Sequence, residues 1–452
     1  MKFIIRGGKP LYGEITLAGS KNTASKLMIT SLLTDEPCTL TNFPRIGDAE
    51  ITAELCRTIG SDVRLDGDTL SISTPKIKNS RVLELSRRNR IPILALAPLL
   101  TRAGEGEVPI VGGDKIGHRP VDLHIKALEA LGAEIKVTPI SYIARAKKGL
   151  FGGVINLGFP SVGATENAVL AAVCANGRTV IKNAALEPEI ISMIKMLQNM
   201  GAIVELGAER DIYIEGVKHL RGVTHEVPSD RNEAVSFACL GIATGGDVFL
   251  KGAIQEHLIT FLNVVRKTGA EYEVKPDGIR FWRPASPKLQ PGLDSSRQGR
   301  RGGPNSLKSV YIETAPHPGF MTDWQQPLAV LLTQAEGNST IHEAIYEDRF
   351  AYVADLNSVG AKIEVSKDCP DGRWCRFAAK GVLHVARISG PVELKGGGKF
   401  AVRDLRGGMV DIIAALVAKG ESEIEGVEEI DRGYENIDER LRKLGAEIQR
   451  TD

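Results

Sequence analysis

LEALGAEIKV, residues 128–137, reads as the last turns of an amphipathic helix, a glycine, and then a strand of alternating apolar residues. A glycine there suits a helix that ends in the left-handed region, where a Cβ is penalised. The alternation after it has the period of two of a half-buried strand. The phrase recurs as CRTIGSDVRL (56–65), LQNMGAIVEL (197–206), VRKTGAEYEV (265–274), LNSVGAKIEV (356–365) and LRKLGAEIQR (441–450). Its glycines are Gly60, Gly132, Gly201, Gly269, Gly360 and Gly445, at intervals of 72, 69, 68, 91 and 85 residues. Such self-similarity marks supersecondary units that bury their apolar faces against one another.

A second phrase lies upstream of five of these glycines: a short strand, a turn, and a polar or charged residue opening the helix. The copies are EVPIVGGDKIGHRPVD (107–122), RTVIKNAALEPEI (178–190), DVFLKGAIQEHLI (247–259), STIHEAIYEDRFA (339–351) and SEIEGVEEIDRGYEN (422–436). CTLTNFPRIGDAEI (38–51) is a degenerate first copy. Six α/β units, each with two helices and several strands, predict two domains of three units, with a break near Pro228–Asp230. The long 91-residue interval contains residues 284–308, rich in Pro, Gly, Ser and Arg. That stretch reads as a disordered loop or surface excursion.

At 452 residues the chain is long enough for two to three domains, and 42% hydrophobic with 25% charged residues is a globular composition. A formal net charge of +1 gives no global reason to expect nucleic acid as a partner. No stretch approaches the ~18 apolar residues that would span a bilayer. The opening MKFIIRGGKPLYGE (1–14) reads as a strand, not a signal peptide, so no membrane partner and a cytoplasmic location are expected. The cysteines Cys38, Cys56, Cys174, Cys239, Cys369 and Cys375 form no CxxC pair and have no histidine at ligand spacing in sequence. They read as reduced thiols, Cys56, Cys174 and Cys239 within apolar helical runs, and neither a metal nor an organic cofactor is expected.

A strand that feeds through a turn into a helix places unpaired N–H groups and the positive end of the dipole at the turn, a ready site for phosphate or carboxylate. Three copies of the repeat carry arginine there: Arg119 in GHRPVD, Arg349 in YEDRF and Arg432 in IDRGYE. Lys21, Arg90 and Arg406 are placed at analogous strand-to-helix transitions. A guanidinium pairs bidentately with such anions, and six cations at matched positions are more than scattered surface charge. Acids accompany them: Asp114 in a glycine-flanked loop, Asp323 before a helix, Glu187, Glu189, Asp230 and Asp404. Asp230 and Asp404, close to arginines, read as helix caps or ion-pair partners. Asp323 is open enough for proton transfer. Together these residues suggest a reaction on a doubly anionic substrate with a general base.

GEITLAGSKN (13–22), GGDKIGHRPVDLH (112–124), PSVGAT (160–165), NAALEPEI (183–190), SDRNEA (229–234), TAPHPGFMTDWQ (314–325), RDLRGG (403–408) and EEIDRGYENI (428–437) run in this order along the chain. In them the chain resembles the UDP-N-acetylglucosamine 1-carboxyvinyltransferase family of the EPSP synthase superfamily. The resemblance implies two inside-out α/β barrels, six βαβαββ repeats in all, with pseudo-threefold symmetry in each domain. It implies a first domain of residues 22–229 and a second of 1–21 with 230–452, around a cleft that closes on substrate. The implied reaction moves the enolpyruvyl group of phosphoenolpyruvate to the 3-hydroxyl of UDP-N-acetylglucosamine and releases phosphate, the first committed step of peptidoglycan synthesis. Lys21 and Asn22, with Arg119, Arg349, Arg406 and Arg432, would hold phosphoenolpyruvate. Arg90, Arg119, Pro120, Val121, Asp122, Leu123, Ser161, Val162, Asp323 and Ile345 would line the UDP-sugar site. Asp323 would act as base beside Lys21 and Arg432, and Asp114 as proton donor. Asp114 stands where most family members carry the cysteine that fosfomycin alkylates, so resistance to that drug is implied. The small-molecule substrates are the partners expected, on a monomer or weak homo-oligomer.

The chain departs from the family pattern at Gly47 and Phe159, each a lysine there, at Leu186, where an arginine is usual, and at Arg440, which keeps a lysine's charge. The two lost cations bear on the acceptor more than on the donor. A related uridine nucleotide, shikimate 3-phosphate, or a non-catalytic UDP-sugar-binding regulator stand as alternatives. Asn22 after Lys21, where the shikimate enzymes have serine, favours the UDP-sugar reaction.

Overall fold

The computed structural model describes residues 1–84, 90–112, 116–117, 119–284, 306–372 and 375–452. All six repeat glycines have positive φ, between 78° and 128°. Each ends a helix or the turn that closes one, and each leads into a strand. The helices are Gly47–Ile59, Asp122–Ala130, Pro188–Asn199, Gln255–Lys267, Val353–Ser358 and Ile437–Lys443. The strands that follow are Asp62–Asp66, Glu134–Val137, Ile203–Leu206, Glu271–Lys275, Ile363–Ser366 and Glu447–Thr451. Among the described residues these strands form the edges of six separate sheets, five of four strands and one of three.

Inside the sheets the repeat is equally regular. The strand that opens each outer helix (for example Asp247–Lys251 or Gly337–His342) pairs antiparallel with the return strand of the hairpin. In five sheets it also has a parallel neighbour on its other side. In the sheet of Glu105–Pro109 that neighbour shrinks to a single parallel bridge, Arg81 to Glu107. The sixth repeat has no return strand of its own: Lys2–Gly7, at the other end of the chain, pairs antiparallel with both Gly420–Glu425 and Glu447–Thr451. The expected strand over residues 1–14 is corrected to two: Lys2–Gly7 here, and Tyr12–Thr16, which pairs with Asp247–Lys251 in another sheet.

The chain divides into two compact units, each with its own apolar core. The first unit is Ala18–Asp114 with Arg119–Asp230; the second is Met1–Leu17, Lys115–His118 and Arg231–Asp452. In the second unit, helices Arg231–Ala243, Gln325–Leu332 and Leu405–Val417 are buried on nearly every side. In the first unit, helices Lys21–Ser31, Leu96–Ala103 and Val162–Ala172 take the same role. A helix apolar all round belongs in a core, whereas the outer helix of each repeat is amphipathic and covers it. No helix among the described residues is long and apolar enough to cross a membrane.

Of the insertion read at 284–308, residues 285–305 lie outside the described residues. Its far end is corrected: Leu307 is buried in the core of the second unit, and its carbonyl accepts from the Glu336 N–H at 2.7 Å. Leu307 is the one apolar side chain between polar neighbours there, and it takes a core position that the composition around it does not suggest.

Candidate active site

In the second unit the predicted acid and two of the predicted arginines meet. Asp323 lies in the 3-10 turn Thr322–Trp324 that heads the buried helix Gln325–Leu332. Its Oδ1 accepts from Arg349 Nη2 at 2.5 Å, and its Oδ2 is 3.7 Å from Arg406 Nε. Arg406 is the second residue of helix Leu405–Val417, whose cap Asp404 accepts from the N–H groups of Arg406 and Gly407 at 3.0 Å each. The capping role expected of Asp404 is thus present. Arg406 Nη1 donates to the Tyr434 hydroxyl at 2.9 Å, which in turn shares a hydrogen bond with Ser236 Oγ.

Arg349 is fully enclosed. Burial works hardest against its charge, but the nearby Asp323, Asp404, Glu343 and Tyr346 outweigh burial, and its pKa is raised. Its Nε has no hydrogen-bond partner among the described residues, a donor left over in a site of this polarity. Behind it Glu343, absent from the expected site, is a buried hub. Its carboxylate accepts from Thr314 Oγ1 (2.9 Å), Thr322 Oγ1 (2.8 Å) and the N–H groups of Ile345 (2.7 Å) and Tyr346 (3.1 Å). Burial raises its pKa more than Arg349 and these hydrogen bonds lower it. Glu343 thereby shapes the loop that carries Ile345 and Arg349. The one signal for it in the sequence is its place directly after the strand Gly337–His342.

Arg432 caps the end of the four-residue helix Glu428–Asp431 and pairs with Glu429 at 2.6 Å. Gly433 beside it packs against the Leu405 side chain, and Tyr434 accepts from Arg406. The placement of Arg119, Arg349 and Arg432 as helix-opening residues is corrected. Arg119 and Arg349 precede their helices, Asp122–Ala130 and Val353–Ser358, by a few residues of loop, and Arg432 stands at a helix end. The second phrase of the repeat is longer than a bare strand-to-helix turn. The cations at buried helix starts are instead Lys21, Arg90 and Arg406.

In the first unit Lys21 opens helix Lys21–Ser31 behind its cap Ser20, with Asn22 next to it. Its Nζ is 2.8 Å from the buried Asp48, which directly follows Gly47 at the start of helix Gly47–Ile59. Asp230, read as a helix cap or a partner of its neighbouring arginine, accepts from the Lys21 N–H at 3.1 Å, at the start of a helix 209 residues away in the chain. A second group forms around His124. Arg90 Nη2 donates to the Pro120 carbonyl at 3.4 Å. Gly163, just past Ser161 and Val162, abuts the His124 ring. Asn167 Nδ2 lies 3.4 Å from His124 Nδ1. Burial, helped by the Arg90 charge, pushes His124 down to about 3, so the ring is neutral. Arg90, Gly163 and Asn167 thus surround a buried imidazole, with Pro120 held by Arg90. Val121, Asp122 and Leu123 sit at the mouth of helix Asp122–Ala130, where Asp122 also meets Lys126. Phe159 is half-buried and its carbonyl accepts from the Ser161 N–H at 2.7 Å. Asp114 lies outside the described residues; close after it, the Ile116 carbonyl accepts from the Asp348 N–H at 3.2 Å.

The model for EPSP synthase (3-phosphoshikimate 1-carboxyvinyltransferase) matches residues 5–441. The chain belongs to the EPSP synthase family. It is 44% identical to the UDP-N-acetylglucosamine 1-carboxyvinyltransferase of Protochlamydia amoebophila, across 98% of this chain and 93% of that one. It is 43% identical to the protein of the same name from Chlamydia abortus, across 98% and 96%. Among solved structures, the enolpyruvyl transferase NikO from Streptomyces tendae superposes with a TM-score of 0.83 at 21% identity, over 99% of this chain and 98% of that one. EPSP synthase from Acinetobacter baumannii superposes with 0.72 at 18% identity, over 99% and 100%. At those identities the superpositions establish the mixed α/β fold.

Cys56 and Cys239 are buried in helices and Cys174 lies just past one; burial pushes Cys56 up to about 12 and Cys174 to about 11, which disfavours the thiolate. The expectation of scattered thiols without histidine is corrected for Cys369 and Cys375. With His342 and His384 they offer ligand atoms that all lie within 4.8 Å of one another.

Proposed function

We propose that the chain transfers the enolpyruvyl group of phosphoenolpyruvate to the 3-hydroxyl of UDP-N-acetylglucosamine, releasing phosphate, in the first committed step of peptidoglycan synthesis. The observation that carries this is 43–44% identity, over nearly the whole chain, to proteins named for that transfer. The geometry is chemically suited to it. Asp323 takes the proton of the sugar hydroxyl, held in place by Arg349 and Arg406. The oxygen adds to C2 of phosphoenolpyruvate as a proton reaches its methylene; loss of a proton from the new methyl group and departure of phosphate restore the enol ether. Arg349, Arg406 and Arg432, with Lys21, Asn22 and Arg119, bind the phosphate and carboxylate, and fixed cations of this kind stabilise charge that develops in the transition state. Arg90, Arg119–Leu123, Ser161, Val162 and Ile345 hold the nucleotide sugar.

The same reading makes each unit an inside-out barrel, three buried helices within three sheets, with functional domains 22–229 and 1–21 plus 230–452. Asp114 donates the methylene proton in place of a thiol. A carboxylate is a poor nucleophile toward an epoxide, so fosfomycin leaves the enzyme active, and Asp114→Cys gains time-dependent inactivation. Time-dependent inactivation of the unaltered chain would remove this role for Asp114. The decisive assay is phosphate release from phosphoenolpyruvate with UDP-N-acetylglucosamine or shikimate 3-phosphate offered separately. Turnover with the sugar nucleotide alone is expected; release with shikimate 3-phosphate alone, or with neither, would overturn the assignment.

A further inference from the structure

One hairpin of the repeat is unlike the others. Strands Asp62–Asp66 and Thr69–Ser73 are joined through two residues, as are Glu271–Lys275 and Gly278–Trp282, and Glu134–Val137 and Ser141–Arg145 through three. In the fifth repeat, Ile363–Ser366 and Val385–Gly390 are joined through residues 367–384, which accounts for the long interval from Gly360 to Gly445. In that connection Cys369, Cys375 and His384 lie at the end of strand Gly337–His342, where His342 pairs with Val385.

We propose that His342, Cys369, Cys375 and His384 form a closed, four-ligand structural site for a zinc-class divalent cation. The two Sγ atoms are 3.0 Å apart, and each lies 3.3 Å from His384 Nε2. Two thiolates and two imidazoles are the donor set of tetrahedral structural zinc; Zn–S of ~2.3 Å and Zn–N of ~2.0 Å give S···N separations close to those seen here, while the two Sγ atoms would part to roughly 3.7 Å around the ion. The histidine tautomers are fixed by their surroundings. His384 Nδ1 is 2.9 Å from the Val382 carbonyl, which only accepts, so the proton is on Nδ1 and the Nε2 lone pair faces the thiols. His342 Nδ1 is likewise 3.2 Å from the Glu313 carboxylate, and its buried Nε2 has no hydrogen-bond partner among the described residues. Such carboxylate and carbonyl partners orient ligating histidines and raise their basicity. The Phe377 N–H points to Cys375 Sγ at 3.4 Å, a further support for a thiolate. Both imidazoles are essentially inaccessible. A disulfide between the cysteines would leave two buried imidazole lone pairs facing sulfur with no proton to accept, which burial penalises.

Four protein ligands leave no open position, so the ion's role is structural. It ties the loop to the end of the sheet from which the active-site loop departs: the Glu343 N–H donates to the His384 carbonyl at 2.8 Å, and Lys380 pairs with Glu347 at 3.3 Å. The test is metal content of the full-length chain, purified without chelator from zinc-supplemented cells, with cobalt exchanged in to report thiolate ligation by its absorption spectrum. About one zinc per chain and a two-thiolate cobalt spectrum are expected. Cys369→Ser with Cys375→Ser should bind near none, and Glu313→Gln, a half-exposed change that leaves the ligands intact, should weaken zinc by about 10- to 100-fold. A metal-free chain, a Cys369–Cys375 disulfide found by peptide mapping, or undiminished zinc in the double variant would each overturn the proposal. Should the double variant fail to fold, the cobalt spectrum of the unaltered chain still decides.

Discussion

In the second unit, the carboxylate of Asp323 sits between the guanidinium groups of Arg349 and Arg406. In the first unit, Glu166, Glu187 and Glu189 are buried near one another, with Lys26 3.8 Å from Glu166, and His124 is enclosed beside Arg90. The former region sets Asp323 against opposite charges, and Arg349 stays a cation despite complete burial, although burial raises the pKa of Glu343 beside it. In the latter, burial prevails. It pushes Glu166 up to about 7, against the pull of Lys26 and with the push of Glu189 and Glu187, and it pushes His124 down to about 3. A buried ion survives where a partner compensates its lost hydration, and it turns neutral where the partner is distant or of like sign. One region is therefore suited to chemistry on anions, and the other makes stability depend on pH.

The sharpest way to break this contrast is Asp323→Ala. Loss of the base should lower turnover by ~10²- to 10⁴-fold while calorimetry shows UDP-N-acetylglucosamine binding retained. Normal turnover would remove Asp323 from the role of base. Arg349→Ala would leave Asp323 and Glu343 without their enclosed counter-ion, and denaturant unfolding should report a loss of about 3–5 kcal/mol. A loss below about 1 kcal/mol would mean that the carboxylates are not held by that pairing.

The first unit is sharpened by pH. Since folding depresses the His124 pKa from 6.5 to about 3, full stability is present above pH 6.5 and is lost as the pH falls toward 3. The slope is ~1.4 kcal/mol per pH unit from this group. His124→Gln should flatten that limb, and an unchanged acid slope would count against a neutral buried ring. Glu166 acts in the reverse sense. Its folded pKa of about 7 exceeds the ordinary 4.5, so its contribution is present below pH 4.5 and lost as the pH rises through about 7. Glu166→Gln should therefore stabilise the chain at pH 8, on the order of 1–3 kcal/mol, with no gain at pH 4. Equal gains at both pH values would point to packing instead of charge.

Much of the fold was legible in the chain, because the repeat is written in local terms. A glycine at Gly132 or Gly445 answers a positive φ set by its immediate neighbours, and alternation in EIKV answers a strand's own period. The capping role of Asp404 was legible for the same reason, whereas the bond from the Lys21 N–H to Asp230 joins residues 209 apart in the chain. Glu343 was not, since a glutamate in a polar stretch becomes a hub only when Thr314 and Thr322, from two other segments, are folded against it. Leu307 was hidden by the composition around it.

The sequence by itself determined six units, the glycines that end their helices, and the identity of the cations and acids available for the reaction. Only the tertiary structure decided which of those groups meet: Asp323 with Arg349 and Arg406, Lys21 with Asp48, and His342 with a pair of cysteines and a histidine from a later loop. Backbone conformation is set over a few residues, whereas the approach of side chains far apart in the chain depends on strand pairing and helix packing that no short window contains.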